Sequence, residues 1–196
     1  MNVIPTRLPG VVIVEPRIFR DDRGYFLETW SASKYGPAGL PTEFAQDNLS
    51  CSSPGVLRGL HYQFPIAQGK LVGVAKGEVF DVAVDIRVGS PTFGRWEGVT
   101  LSAENGRQLY IPEGFAHGFL VTGDEPALFS YKVTRGYDPA GQCSILWDDP
   151  DLAIEWPGAS PLLSPKDAEA PRLRNVPESR LPRYLPNSGC EIPQDG

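Results

Sequence analysis

The sequence predicts an all-β protein, a sandwich or a barrel, with a few short peripheral helices. Short segments of alternating apolar and polar residues recur at a spacing of roughly 8–12 residues, which is typical of these folds. The 196 residues include 21 glycines and 20 prolines, and this composition favours many turns and few long helices. A sustained helical period is found in no window of about 15 residues.

The predicted strands follow one another along the chain. Residues 11–13 and 26–29 form short strands around a polar turn at residues 20–24. Further strands are predicted at residues 70–74, 79–86, 96–101, 108–111, 116–122 and 128–134. In one of them the alternation puts Asp81 and Asp85 on one face of the sheet and the larger apolar residues on the other.

One domain is predicted, because the chain is long enough for a single sizeable core. It is expected to span residues 1–170, with short helices at residues 32–35 and after Ser164. Residues 171–196 are rich in Pro, Arg, Glu and Asn, which predicts a peripheral arm or a partly disordered tail. Alternatively, this segment docks on a neighbouring subunit through Leu181, Tyr184 and Leu185.

Charge and cysteine content argue against several classes of protein. The net charge of −6 disfavours non-specific binding to nucleic acid or to an anionic membrane surface. We expect no signal peptide and no membrane span, because the first apolar run, at residues 11–14, has only the length of a strand. Cys51, Cys143 and Cys190 lack CxxC spacing, which favours reduced thiols and a cytoplasmic location.

The two histidines of the chain each lie inside a motif-like segment, His61 in residues 55–63 and His117 in residues 111–119. Histidine exchanges protons near neutral pH, and two histidines are too few for a three-histidine metal centre. The second segment matches half of the metal-binding cupin pattern, but the other half is degenerate around His61. The sequence therefore predicts acid–base chemistry without metal or cofactor, with His117 in a structural or substrate-contacting role.

Cations close to His61 indicate an anionic substrate. Arg58 precedes Gly59, a residue without a side chain, and this pair suits the close approach of a phosphate. Lys70 follows nine residues after His61 and is expected on the next inward-facing strand. Such a set of side chains fits a substrate whose negative charge grows during the reaction.

Sequence spacing alone does not identify the proton donor and the aspartate that would act together with His61. Tyr131 is either a core residue or a phenol that donates a proton from the side opposite a base. An aspartate that holds His61 in one tautomer would raise its basicity. Asp81, Asp85 and Asp167 are all candidates for that aspartate.

Polar residues in the N-terminal quarter offer contacts for a nucleobase. Gln46 and Asn48 supply paired donors and acceptors, as a pyrimidine requires. Arg23, Phe26 and Glu28 precede them on a predicted hairpin. A solvated strand face would explain the same residues.

A series of ordered motifs supports a match over roughly residues 5–170. They are Asp22-Arg23-Gly24, Gln46-Asp47-Asn48, Trp156-Pro157 and residues 56–63, 68–72, 77–85, 90–94, 101–105, 111–119 and 163–167. In this order they resemble the dTDP-4-dehydrorhamnose 3,5-epimerase family. The resemblance implies a cupin-type jelly roll that acts as a homodimer without metal. It implies epimerisation of dTDP-4-keto-6-deoxy-D-glucose at C3 and C5 through enolates, which gives dTDP-4-keto-L-rhamnose.

The resemblance also implies roles for individual residues. His61 would be the base, oriented by Asp167, with Tyr131 as the acid on the opposite face and Lys70 beside the enolate oxygen. The implied substrate contacts are Arg23 and Arg58 at the diphosphate, Glu28, Gln46, Asn48, Phe26 and Tyr137 at the thymine, and His117, Gln142 and Lys166 elsewhere in the pocket. An N-terminal segment is expected to cross to the partner subunit and complete its pocket.

Three departures from the family pattern bear on the product. Gly73 stands where an arginine is frequent, Gln142 stands where a glutamate is common, and the tail after Asp167 is longer. A mono-epimerase acting at C3 or C5 alone is therefore an alternative. A metal-dependent cupin and a non-catalytic binder of sugar nucleotides are further alternatives, and the complete acid–base set disfavours the binder.

Overall fold

The computed structural model describes residues 1–158 and 160–186. The strands in these residues are β1 (Asn2–Pro5), β2 (Val12–Glu15), β3 (Ile18–Asp21), β4 (Gly24–Leu27), β5 (Gln46–Ser52), β6 (Leu57–Gln63), β7 (Lys70–Lys76), β8 (Glu78–Asp85), β9 (Trp96–Ser102), β10 (Gln108–Ile111), β11 (Phe115–Val121), β12 (Ala127–Val133) and β13 (Gln142–Ser144). The helices are α1 (Ala32–Tyr35) and α2 (Pro165–Ala168), with short 3-10 turns at Gly36–Ala38, Leu173–Asn175 and Glu178–Arg180.

Two antiparallel sheets form the body of the protein. One has the strand order β1-β2-β10-β7-β12-β5, and the other has the order β13-β6-β11-β8-β9. Strands β3 and β4 form a separate hairpin outside both sheets. The predicted all-β jelly roll with a few short helices is confirmed, and both helices lie where the sequence predicted them.

Apolar side chains fill three layers. A central cluster between the sheets contains Val72 and Phe129 from one sheet and Ala83 and Phe119 from the other. A second cluster covers the outer face of the five-stranded sheet, and a third covers the outer face of the six-stranded sheet. Because both faces of the five-stranded sheet are covered, its central strands are the most buried: β11 buries all seven of its residues and β8 six of eight.

The positions of β1, β5, β6 and β13 in the two sheets explain why the sequence did not predict these strands. β6 and β13 belong to the covered sheet, so β6 shows no regular alternation of buried and exposed residues. β1 and β5 are the two edges of the six-stranded sheet and carry many polar or exposed residues. Apolar periodicity, the signal used to find strands, is weak in both situations.

The segment after α2 packs on its own chain. Leu173 and Leu181 are buried in the second cluster, 5% and 4% exposed. The backbone N–H of Tyr184 donates to the carbonyl of Val88 at 3.0 Å. Residues 171–186 therefore form an arm against the five-stranded sheet, whereas the rest of the predicted tail, with Cys190, lies outside the described residues.

Two further expectations concern thiols and membranes. Cys51 and Cys143 are free thiols. In the described part of the chain, no helix has the length and apolar character needed to cross a membrane.

Candidate active site

A cavity of about 340 Å³ opens between the two sheets, at the end where β6 finishes and β7 begins. Both sheets contribute to its walls, because β6 and β13 belong to one sheet and β5, β7 and β12 to the other. Its lining residues are Gln46, Asn48, His61, Tyr62, Gln63, Gln68, Lys70, Tyr131, Val133, Tyr137 and Gln142. Seven of the residues proposed from the sequence are among them: His61, Lys70, Tyr131, Gln46, Asn48, Tyr137 and Gln142.

His61 is paired with Asp167. The Nε2 atom of His61 lies 2.6 Å from Oδ1 of Asp167, whose side chain is 5% exposed. Ser164 caps the short helix α2, because its Oγ accepts from the backbone N–H of Asp167 at 3.2 Å. This cap fixes the aspartate against β6, the strand that carries the histidine.

The pair favours a charged Asp167. Burial opposes ionisation, but hydrogen bonds from His61, Ser164 and the backbone of Gly59, together with the charge of His61, lower the pKa of Asp167. An ionised Asp167 accepts a hydrogen bond from the Nε2–H group of His61. The Nδ1 lone pair of His61 is then the one left to take a proton from a substrate.

The other two candidate aspartates have different partners. Asp81 contacts His117, with 2.9 Å between Oδ2 and Nε2. Asp85 accepts a hydrogen bond from Oγ of Ser90 at 2.6 Å and forms an ion pair with Arg87 at 2.7 Å. Spacing had left three aspartates open for His61, and the tertiary structure assigns Asp167 to it.

Lys70 begins β7 at the wall of the cavity. Burial lowers the pKa of Lys70 to about 8, although the nearby charge of Asp81 opposes the shift. The ammonium group is therefore mostly protonated at neutral pH. A partly desolvated cation of this kind interacts strongly with an anion that forms in the cavity.

Tyr131 enters the cavity from the sheet opposite His61. It lies on β12, paired with Val72 of β7, whereas His61 lies on β6. Burial raises the pKa of Tyr131, against the charge of Arg58, so its phenol is protonated at neutral pH. A histidine and a phenol therefore approach one cavity from two sides.

His117 lies behind the cavity wall. It is the cross-strand neighbour of His61, is 7% exposed, and is absent from the lining residues. Its ring stacks on Phe129 with centroids 5.9 Å apart. Burial lowers the pKa of His117, as do the charges of Lys70 and His61, whereas Asp81 opposes the shift.

A chain of amide hydrogen bonds lines the mouth of the cavity. Nε2 of Gln46 donates to Oδ1 of Asn48 at 2.6 Å, and Oε1 of Gln46 accepts from the backbone N–H of Tyr137 at 3.0 Å. The hydroxyl of Tyr137 donates to Oε1 of Gln142 at 2.6 Å. Tyr137 is 54% exposed, which leaves part of its surface accessible to a ligand.

Three proposed contacts lie on or beside the β3–β4 hairpin, outside the cavity of their own chain. Arg23 forms an ion pair with Asp21 at 2.6 Å, and Glu28 forms one with Lys34 at 2.9 Å. Phe26 is 67% exposed. A single chain therefore does not bring Arg23, Phe26 or Glu28 together with His61.

Arg58 and Lys166 lie at the periphery of the site. Nε of Arg58 donates to Oγ of Ser52 at 2.9 Å, and its charge reaches Tyr131. Lys166 lines an adjoining groove that shares Tyr62 and Gln142 with the cavity.

The structure gives Gly59 a role in strand packing that the sequence did not predict. Gly59 has a φ of 132°, and a Cβ there would lie 2.5 Å from Cα of Gly118. The glycine is required because β6 and β11 approach closely at this point. Its small size serves strand packing, and the close approach of a phosphate at Arg58-Gly59 stays a prediction.

Sequence reasoning gave no role to Gln63 and Gln68, although both line the cavity. Each appeared in the quoted motifs, two residues after His61 and two residues before Lys70. Residues two positions apart on a strand share a face, and this spacing could have predicted that both glutamines line the cavity.

The donor set does not resemble a metal centre. Among the described residues, no three or more His, Cys, Asp and Glu side chains form a group suited to a metal ion. The two histidines instead have separate aspartate partners, Asp167 and Asp81.

Comparisons with known proteins show the family of the chain. The family model described as dTDP-4-dehydrorhamnose 3,5-epimerase matches residues 5–175. The chain belongs to this family. The resemblance that the sequence motifs indicated is thereby confirmed.

Individual members of the dTDP-4-dehydrorhamnose 3,5-epimerase family match along most of their length. The enzyme of that name from Shigella flexneri is 59% identical over 169 residues, which cover 85% of this chain and 93% of the relative. A dTDP-4-dehydrorhamnose 3-epimerase from Streptomyces niveus is 41% identical and covers 98% of this chain and 94% of the relative.

The crystal structure of a dTDP-6-deoxy-D-glucose-3,5-epimerase from Legionella pneumophila, in complex with dTDP-4-keto-L-rhamnose, superposes with a TM-score of 0.90. It is 54% identical and covers 94% of this chain and 98% of the other.

Proposed function

We propose that this protein is an isomerase that epimerises dTDP-4-keto-6-deoxy-D-glucose at C3 and C5 and forms dTDP-4-keto-L-rhamnose. One observation carries the proposal: the His61–Asp167 pair and Tyr131 reach one cavity from opposite sheets, with Lys70 in its wall. Family membership and the named relatives support the same reaction.

Proton removal is the task of His61. The hydrogens on C3 and C5 flank the C4 ketone, so removal of either leaves a carbanion that is delocalised as an enolate. The Nδ1 atom of His61 accepts the proton, because Nε2 is engaged by Asp167 at 2.6 Å. The ionised aspartate stabilises the imidazolium that forms.

Lys70 stabilises the enolate. The negative charge of the enolate rests on the C4 oxygen, and a protonated Lys70 lowers the energy of that state electrostatically. Its lowered pKa of about 8 leaves the ammonium charged at neutral pH while it is partly stripped of water. The lysine donates a hydrogen bond and remains covalently unchanged.

Inversion requires a proton donor on the other face of the sugar. If His61 returned the proton it had taken, the configuration would be unchanged. Tyr131 enters from the opposite sheet and is kept protonated by its raised pKa. The phenol then protonates the carbon from the far side.

The nucleotide end of the substrate supplies remote binding energy that orients the sugar. We propose that Gln46 and Asn48 address the thymine, with Tyr137 stacked on it, and that Gln142 contacts the substrate elsewhere in the pocket. Arg58 would hold the diphosphate. His117 and Lys166 would act from behind and beside the cavity.

We propose that the protein is a homodimer in which each hairpin completes the cavity of its partner. Arg23, Phe26 and Glu28 lie outside their own cavity, and Phe19 and Phe26 expose 49% and 67% of their surface on the hairpin. Exposed aromatic residues on a projecting hairpin are typical of an interface.

Residues 1–170 would form the catalytic domain, and the arm after them would support α2 from outside. We also propose that the enzyme acts in the cytoplasm, where its free thiols would stay reduced.

The test is proton NMR of dTDP-4-keto-6-deoxyglucose incubated with the protein in heavy water. We expect deuterium at both C3 and C5, with the L-lyxo product trapped by a downstream reductase. His61→Ala should abolish the exchange while dTDP binding is retained. Undiminished exchange in that variant, or none in the wild type, would contradict the proposal.

The second candidate is a mono-epimerase. The relative from Streptomyces niveus, named a 3-epimerase, matches 98% of this chain at 41% identity. Gly73 and Gln142, where the family pattern has other residues, leave room for an altered product. Deuterium at one carbon alone in the same experiment would favour this function.

A further inference from the structure

The loop between β12 and β13, residues 134–141, carries Tyr137 and is tied to the strands by glutamine side chains. Nε2 of Gln68 donates to two successive loop carbonyls, at 2.7 and 3.1 Å, the second belonging to Gly136. Oε1 of Gln46 accepts from the backbone N–H of Tyr137 at 3.0 Å. These two glutamines hold the loop from its cavity side.

Gln63 is the buried member of this group, with 6% exposure. Its Oε1 accepts from the backbone N–H of Asp138 at 2.9 Å. Its Nε2 donates to the carbonyls of Ile66 at 2.8 Å and Gly136 at 3.4 Å. Both the NH₂ group and the oxygen of a side chain two residues from His61 are therefore engaged in or beside the loop.

Close packing keeps the loop against this amide. Gly141 has no room for a side chain, because a Cβ there would lie 2.8 Å from the carbonyl oxygen of Phe64 and 3.3 Å from Cγ of Gln63. The backbone N–H of Phe64 donates to the carbonyl of Gly141 at 2.9 Å. Removing the amide would take away the partner of the Asp138 N–H and of the Ile66 carbonyl, two hydrogen bonds in partly buried surroundings.

We propose that Gln63 is a positioning residue that presents Tyr137 to the nucleotide base. The inference rests on the proposed function, because it needs a base that stacks on Tyr137. Gln63 connects the strand of the catalytic base to the loop of the stacking ring through neutral hydrogen bonds. A loop held in its binding geometry loses less conformational entropy when the nucleotide binds.

The experiment compares Gln63→Met with the wild type by calorimetric titration with dTDP. Methionine keeps the length of the side chain and removes the donors and the acceptor. We expect the Kd for dTDP to rise about tenfold, which corresponds to the loss of buried hydrogen bonds. In the deuterium exchange assay at saturating substrate, kcat should stay within about threefold, because the His61–Asp167 pair is untouched.

Gln108→Met is the matched control. Gln108 is also buried, 9% exposed, and bonds the hydroxyl of Tyr35 at 2.7 Å and the carbonyl of Thr29 at 2.7 Å. Its loss should lower the melting temperature and leave the Kd for dTDP unchanged. A similar rise of Kd in both variants would mean that Gln63 acts only through general stability.

A double mutant tests whether Gln63 affects the affinity for dTDP through Tyr137. In a Tyr137→Ala background, Gln63→Met should change the Kd by less than about twofold, because coupled residues are not additive. Full additivity, or an unchanged Kd in the single variant, would overturn the inference. Should Gln63→Met fail to fold, Gln68→Met, at a partly exposed position, carries the same comparison.

Failure of the inference and failure of the proposed function give different results. A wild type that exchanges deuterium, with a Gln63→Met variant of normal dTDP affinity, overturns the positioning role alone. A wild type that binds dTDP but does not exchange, with affinity lost in Gln63→Met, overturns the epimerase alone. Absence of dTDP binding in the wild type overturns both.

Discussion

Asp167→Asn removes the charge that holds His61 while keeping the shape of the side chain. The Nε2–Oδ1 distance of 2.6 Å and the 5% exposure of Asp167 mark a short, desolvated and charge-assisted hydrogen bond. Such bonds contribute about 1.5–3 kcal/mol. Because about 1.4 kcal/mol is tenfold in rate, exchange at C3 and C5 should slow roughly 10- to 150-fold.

The loss would be larger if the amide turned its NH₂ towards Nε2, because His61 would then expose the wrong tautomer. The assay is deuterium incorporation followed by NMR at saturating substrate, with dTDP affinity measured in parallel. The affinity should be unchanged, since Asp167 is absent from the residues that line the cavity.

Asp47→Asn is the control, because Asp47 pairs with Lys132 at 2.9 Å and does not line the cavity. It should alter exchange by less than about twofold, as expected of an exposed ion pair. An Asp167→Asn variant within twofold of the wild type would refute the assignment of this aspartate. An equal loss in both variants would refute it as well.

Three further outcomes are expected. Activity should fall as pH rises through about 8, because Lys70 loses its proton there. In a pH–rate profile, Lys70→Arg should move this alkaline fall in activity to higher pH. A fall in activity at an unchanged pH would exclude Lys70 as its source. Tyr131→Phe should keep deuterium exchange but lose inversion by at least about 10²-fold, seen as labelled starting sugar in the NMR spectrum; normal product formation would remove Tyr131 as the acid. Leu181→Ala should lower the free energy of unfolding by about 2–5 kcal/mol, because Leu181 is 4% exposed. The measurement is a denaturant titration, with Leu162→Ala, at a 61% exposed position, as the control. Equal effects of the two substitutions would show that the arm contributes little.

The acid–base residues could be predicted from the sequence because they lie in unusual local patterns. His61 and His117 are the only histidines, and each occupies a Gly-rich segment. Strands with one apolar face, such as β10 and β12, were predicted from periodicity. β5 and β6, which bear Asn48 and His61, were missed for different reasons: β5 alternates in burial but has polar residues at its less exposed positions, whereas β6 has no regular alternation.

Pairing across the chain was decided only by the tertiary structure. Three aspartates suited His61 equally by spacing. Asp167 is the partner because α2, which lies more than a hundred residues further along the chain, packs against β6 and brings the aspartate to 2.6 Å from His61. The same holds for Gln63, which bonds Gly136 and Asp138 of a loop after β12.

The sequence by itself determined which chemical groups are present, that the domain is built from strands, and which family the motifs resemble. The tertiary structure decided which groups meet, which faces they present, and that Arg23, Phe26 and Glu28 lie outside the cavity of their own chain. The physical reason is that alternation and turn residues act locally. Contacts between distant segments depend instead on how two sheets pack and on which backbone groups remain to be paired.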